Sequence, residues 1–105
     1  MTLERRRAPR YPVSGGELAL LLSPMSVQIL DISRGGVLLQ SSHPARPEGT
    51  GRLTTTLKGL PFSAELEVRR VEVLPAGGYR IGAKFTTIGQ EYRRVLEEFT
   101  HRGAA

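Results

Sequence analysis

Glycine- and proline-containing turn signals recur at short intervals through most of this chain, and the apolar runs between them are only a few residues long. That punctuation constrains the fold more than any other feature. Runs so short, read with period-two alternation, are strands rather than helices, and several in succession describe an antiparallel β architecture. Residues 17–22 and 26–32 are rich in Leu, Val and Ile and read as a hairpin around a turn at Ser23, Pro24 and Met25. Residues 37–40 form a third short strand before a Pro-containing loop over 43–49. Leu53, Thr55 and Leu57 alternate with Arg52, Thr54, Thr56 and Lys58, the pattern of a half-buried strand, and residues 59–61 supply the next turn. Phe62, Ala64, Leu66 and Val68 keep one phase, whereas Val71 and Val73 keep the other, so a bulge is expected near Arg69 and Arg70. After a turn at 75–78, Tyr79, Ile81, Ala83 and Phe85 alternate cleanly.

Beyond Gly89 the period changes. Ile88, Tyr92, Val95, Leu96 and Phe99 fall on one helical stripe, with Glu91, Arg93, Arg94, Glu97 and Glu98 on the other side. About six short strands followed by one helix predict an all-β fold with a C-terminal helix, in which closure into an antiparallel barrel removes exposed edges and the helix covers an open side. The expected organisation is a basic N-terminal arm over residues 1–12, a barrel with its helix over 13–102, the helix spanning about 88–101, and a short tail over 103–105. At 105 residues, 39% hydrophobic and 24% charged, the chain suits one folded domain with one core.

Several chemistries are disfavoured at once. The chain has no cysteine, so disulfides, thiolate catalysis and cysteine zinc sites drop out. His43 and His101 have no metal-like partner at short spacing, and no metal or cofactor is expected. No Gly-x-Ser-x-Gly elbow occurs, and residues 49–53 (GTGRL) lack the Lys-Ser/Thr ending of a phosphate-binding loop, so the reading is a non-enzyme. The basic N-terminal residues are not followed by an apolar segment, and no run approaches membrane-spanning length. A cytoplasmic protein without membrane insertion is expected.

Two segments carry recognition chemistry. The net charge of +5, from 15 basic and 10 acidic residues, is concentrated where Arg5, Arg6, Arg7 and Arg10 crowd the first ten positions. Pro9 and Pro12 keep that arm extended, and guanidinium groups match phosphate oxygens in a planar fork. Read alone, the arm can equally be a solubilising tail. The second segment is Asp31-Ile32-Ser33-Arg34-Gly35-Gly36, an acid and a hydroxyl two residues apart at a strand end, followed by glycines that permit a tight turn or a close ligand. Read alone, it is more readily an Asx-type turn that only closes a strand. Arg69 and Arg70 read as solvent-facing arginines at the bulge.

Together the two segments resemble the signature of the PilZ family, an Arg-x-x-x-Arg arm followed by Asp/Asn-x-Ser-x-x-Gly. Ile81-Gly82-Ala83-Lys84-Phe85 is similar to that family's late Ile-Gly-x-x-Phe strand, and the final amphipathic helix fits as well. The resemblance covers almost the whole chain. It implies a six-stranded antiparallel barrel that binds cyclic di-GMP between arm and barrel surface, without turnover. Carried over by position, it implies that Arg6 and Arg10 bind phosphate oxygens or the O6/N7 edge of guanine. Asp31 would accept from guanine N1 and N2, Ser33 would add a small donor and acceptor, and Gly36 would keep the base site open. Arg34 would be an auxiliary contact, and Arg5 would stack on a guanine and favour two ligands per chain. The arm up to about Pro12 is expected to become ordered on binding and so to signal to an unidentified downstream protein. Two other readings stand beside this one: a PilZ-like adaptor that acts by protein contacts without ligand, and a basic nucleic-acid-binding barrel. The second is disfavoured by the few aromatics available to stack bases, so no DNA partner is expected.

Overall fold

The structure, a computed structural model, describes residues 15–20 and 23–104. Six strands precede one helix: β1 (Gly15–Leu20), β2 (Ser23–Ile32), β3 (Gly36–Ser41), β4 (Thr50–Leu57), β5 (Leu60–Val73), β6 (Tyr79–Thr87) and α1 (Gln90–Ala104). Every pairing is antiparallel, and the order β1-β2-β3-β6-β5-β4 closes on itself as a barrel. The mostly-β architecture with a terminal helix is thus the one the punctuation of the sequence calls for.

Alternation decides what fills the interior. Leu53, Thr55 and Leu57 of β4, Phe62, Ala64, Leu66 and Val68 of β5, and Ile81, Ala83 and Phe85 of β6 are all buried. β2 and β3 add Val27, Ile29, Ile32, Val37 and Leu39, so five strands contribute to one contiguous core. The helix joins that core through Leu96, which is fully buried, with Tyr92, Val95 and Phe99 packed around it. Phe62 links the two layers: its ring meets Phe85 edge-on at 5.9 Å and Tyr92 at 6.2 Å between centroids. Such edge-to-face pairs stabilise by about 0.5–1.5 kcal/mol beyond the area they bury. The helix is entered at Gly89, whose carbonyl accepts the Arg93 N–H at 2.8 Å.

β5 is the longest strand and serves two neighbours. Its residues from Leu60 to Glu67 pair with β4, and those from Glu65 to Val73 pair with β6. Its register against β6 shifts twice, between Glu65 and Leu66 and between Val68 and Arg70. The second shift is the bulge that the change of phase announces, with Arg69 as the extra residue.

Three boundaries differ from the expectation. Ser23, Pro24 and Met25 are not a turn but the first residues of β2, opposite Leu20, Ala19 and Leu18. The fixed φ of proline suits an extended chain, and its missing N–H matters only where the ladder requires a donor. Similarly, Leu60 and Pro61 belong to β5, and the turn is made by Lys58 (φ 54°) and Gly59 (φ 83°). A two-residue hairpin of this kind takes positive φ at both central positions, which glycine accepts freely and lysine at some strain. The helix spans Gln90–Ala104, starting after residue 88 and continuing past 101.

Phe62→Ala should remove the link between barrel and helix and lower stability by about 3–5 kcal/mol. Leu60→Ala, at a half-exposed position at the hairpin, should change it by less than about 0.5 kcal/mol. Urea unfolding followed by circular dichroism checks both, and equal midpoints for the two variants would contradict this account of the core.

Candidate functional site

The end of β2 and the turn that follows it are built by three local events. A register shift between Ile29 and Asp31 inserts one residue, so that Asp31 lies opposite Leu38 and Ile32 opposite Val37. Ile32 and Val37 are fully buried, and the alternation therefore turns the half-buried Asp31 and Leu38 to the outer face of the barrel wall. The chain then reverses at Ser33, whose N–H donates to the Gly36 carbonyl at 2.9 Å. The Ser33 hydroxyl accepts the Gly35 N–H at 3.4 Å and lies 3.5 Å from the Gly36 carbonyl, contacts long enough to be weak. Ser33 is only 4% exposed, so in this state its hydroxyl serves the turn. Arg34 and Gly35 at the tip are exposed.

The turn is tied to β6 rather than left hanging. The Gly35 carbonyl accepts the Phe85 N–H at 3.0 Å. At Gly36 an added Cβ would sit 2.4 Å from the Ala83 carbonyl oxygen, a distance no side chain tolerates. The fold itself therefore demands glycine at 36, for the approach of β3 to β6. That requirement is separate from the open base site the resemblance assigns to it.

The register across four strands shows what surrounds Asp31. Asp31 of β2 faces Leu38 of β3, Leu38 faces Gly82 of β6, and Gly82 faces Arg70 of β5. With neighbouring strands about 4.8 Å apart, this row spans about 14 Å from Asp31 to Arg70. On one side of it run Gly36, Lys84 and Glu67, and on the other Gln40, Arg80 and Glu72. Arg80 pairs with Glu72 at 3.6 Å and Arg69 with Glu67 at 3.7 Å. Among the described residues, Arg34, Arg70 and Lys84 have no acid within salt-bridge distance. The outer face thus has Leu38 and Gly82 at its centre, with Asp31 on one side and Arg70, flanked along β5 by Glu67 and Glu72, on the other.

The expected site is therefore only partly on view. Asp31, Ser33, Arg34 and Gly36 are brought together at one end of β2. Arg5, Arg6 and Arg10 lie outside the described residues. Arg70 is exposed as the sequence reading has it, yet it lies in the same cross-strand row as Asp31. The change of phase at 69–70 signals the bulge but not which residue the bulge sets opposite Gly82. Among the described residues, no group of three or more His, Asp or Glu side chains could hold a metal ion, and no helix is long and apolar enough to cross a membrane.

Comparison with known proteins agrees with this geometry. A family model described as PilZ domain matches residues 4–102. No curated protein sequence matches the chain. Among solved structures, the Bacillus subtilis inhibitor of motility MotI/DgrA is similar with a TM-score of 0.76 at 18% identity, over 95% of this chain and 51% of that one. MrkH of K. pneumonia, solved as a complex with c-di-GMP, gives a TM-score of 0.77 at 20% identity, over 95% of this chain and 52% of that one. PlzA of Borreliella burgdorferi, also in complex with c-di-GMP, gives 0.70 at 16% identity, over 90% of this chain and 40% of that one. The chain thus spans about half the length, or less, of these three neighbours, and at such identities the likeness is one of fold.

The glycine pair at the turn offers a direct check on the geometry. Gly36→Ala should destabilise by about 1–3 kcal/mol through the contact with the Ala83 carbonyl. Gly35→Ala, whose Cβ meets nothing within 4 Å, should be tolerated. Thermal unfolding of the two variants, with amide spectra of residues 33–36 and 83–85, distinguishes them; equal melting temperatures would exclude the close approach.

Proposed function

Because the chain belongs to the PilZ domain family, we propose that it is a receptor for cyclic di-GMP that couples binding of this second messenger to the ordering of its N-terminal arm and to control of a partner protein. The observation that carries the proposal is the Asp31–Gly36 segment. Its acid, hydroxyl and glycines follow the Arg6–Arg10 arm in family order, and its turn is fastened to β6 by the Phe85 N–H on the Gly35 carbonyl. The c-di-GMP complexes of MrkH and PlzA support the choice of ligand.

Each residue has a chemical task in this reading. The Asp31 carboxylate accepts from guanine N1 and N2, which no other common base offers together. Arg6 and Arg10 donate paired hydrogen bonds to phosphate or to the guanine O6/N7 edge. Ser33 exchanges its weak contacts within the turn for one to the ligand, and Arg34, exposed at the tip, adds charge. Arg5 stacks on a guanine and favours two intercalated ligands per chain. The arm's arginines repel one another until phosphates supply the counter-charge, so binding and arm position are linked through contacts that exist only in the complex. The domain acts by binding in the cytoplasm, not by catalysis, and its partner belongs to a cyclic di-GMP response such as motility, pilus function or exopolysaccharide synthesis.

Calorimetric titration with cyclic di-GMP, GTP, cyclic GMP and single-stranded DNA should give saturable heat with cyclic di-GMP alone, at two ligands per chain. Arg10→Ala and Asp31→Ala should each weaken binding by about 2–5 kcal/mol with the fold intact. Absence of heat with cyclic di-GMP would sink the proposal, and binding of DNA instead would favour the nucleic-acid reading. Backbone relaxation should show residues 2–10 becoming rigid only when ligand is added.

A further inference from the structure

β5 runs on where β4 stops. β4 pairs with it from Leu60 to Glu67, and just before β4 the Gly49 carbonyl accepts the Val68 N–H while the Glu48 N–H donates to the Val68 carbonyl. From there to Val73 the strand has β6 on one side, and among the described residues no backbone group pairs with it on the other. The Leu74 N–H donates to the Gly78 carbonyl, so Leu74 turns its backbone toward the β6 side of the hairpin. Backbone groups alternate along an antiparallel strand, and Val71 and Val73 therefore direct theirs away from β6. A barrel that is closed elsewhere keeps one short open edge here.

That edge reads Arg69-Arg70-Val71-Glu72-Val73. Charges on an edge ordinarily keep other strands away. Here their order favours one register of self-pairing over its neighbours. Two copies of an antiparallel strand related by a twofold axis set one residue opposite itself. Centred on Arg70, the pair would bring guanidinium against guanidinium, and centred on Glu72, carboxylate against carboxylate. Centred on Val71, Arg70 of each copy stands opposite Glu72 of the other, and Arg69 stands opposite Val73. Arg70 is exposed and, among the described residues, has no acid within salt-bridge distance. Glu72 holds Arg80 at 3.6 Å, and a carboxylate has acceptor sites for a second guanidinium. Val73 is 73% exposed, an apolar side chain that the stem of an opposing arginine can cover.

We propose that residues 69–73 of β5 form a self-complementary edge through which two copies of this chain pair antiparallel about Val71, so that the sheet continues from one barrel into the other. The outward N–H and C=O of Val71 exchange hydrogen bonds with those of Val71 in the second copy. Across the junction the outer face reads Arg80, Glu72, then Arg70 of the second copy, a row of alternating charge. Neither the N-terminal arm nor the Asp31–Gly36 segment takes part, so the inference stands apart from ligand binding. Five residues a side fall well short of the roughly 20–30 of a stable interface, and the dimer is accordingly weak and concentration-dependent.

Sedimentation equilibrium over a dilution series, without ligand, tests the wild type, Arg70→Glu, Glu72→Arg, an equimolar mixture of those two variants, and the distant control Arg52→Ala. The wild type should pass from monomer to dimer as concentration rises, and the control should match it. Arg70→Glu alone sets acid against acid and Glu72→Arg alone sets base against base, so each should dimerise about tenfold or more weakly. Mixed, the two complement each other at both charged pairs and should associate one to one, which neither misfolding nor a change of net charge would produce. Exchange of the Val71 and Val73 amides should slow at high concentration in the wild type and not in Arg70→Glu. A wild type that stays monomeric overturns the proposal, as does a dimer that the charge variants leave unchanged or one whose Val71 and Val73 amides exchange as fast as in the monomer. If either variant fails to fold, as circular dichroism will show, amide exchange in the wild type decides. Titration with cyclic di-GMP bears on the receptor reading alone, so the two can fail separately.

Discussion

The approach of β3 to β6 is the contact on which this barrel depends. These strands are far apart in sequence, and their pairing brings the first half of the sheet against the second. Gly36 permits it by presenting no Cβ to the Ala83 carbonyl, and the Gly35 carbonyl fastens the same corner to Phe85. Across this seam Val37 faces Ala83 and Leu39 faces Ile81, all buried, so any widening would open the core along its length. The seam also fixes the outer face. Leu38 and Gly82 become neighbours only because β3 and β6 pair, and Asp31 and Arg70 fall on either side of them for the same reason.

The charges on the wall contribute little to stability. Arg52–Glu65 and Arg80–Glu72 join adjacent strands, but their side chains are roughly half exposed, and ion pairs in that setting stabilise by about 0–1 kcal/mol. Stability lies in the buried aliphatic and aromatic layer and in the helix that covers it. Surface arginines and lysines can therefore vary in position or partner without unfolding the barrel, which leaves the wall free to carry a ligand site.

Strands were legible wherever one side of the sheet is buried and the other wet. Tyr79, Ile81, Ala83 and Phe85 mark β6 directly, and the stripe ending in Phe99 marks the helix, because burial imposes the period that the sequence shows. The reading faltered at prolines. Pro24 and Pro61 punctuate a sequence, but in an extended chain their fixed φ is no obstacle, and both stand among the first residues of β2 and β5. The positive φ of Lys58 gave no warning, since lysine carries no turn signal of its own. The candidate site divided along the same line. Asp31, Ser33 and Gly36 are close in sequence and could be found there. The setting of Arg70 beside Gly82 depends on which strands pair and in what register, and the intervening bulge hides it from any local pattern.

β5 also bears on how faithfully this barrel assembles. One strand supplies both the β4 ladder and the β6 ladder, and its Glu65, Leu66 and Glu67 take part in both at once. A one-residue slip against either partner would turn every buried side chain of β5 outward. Because the other ladder shares those residues, the slip would have to occur in both, although the β6 ladder carries two bulges and the β4 ladder runs without one. β5 thus acts as a register lock, and mispaired barrels of this chain are suppressed by geometry rather than by any single side chain.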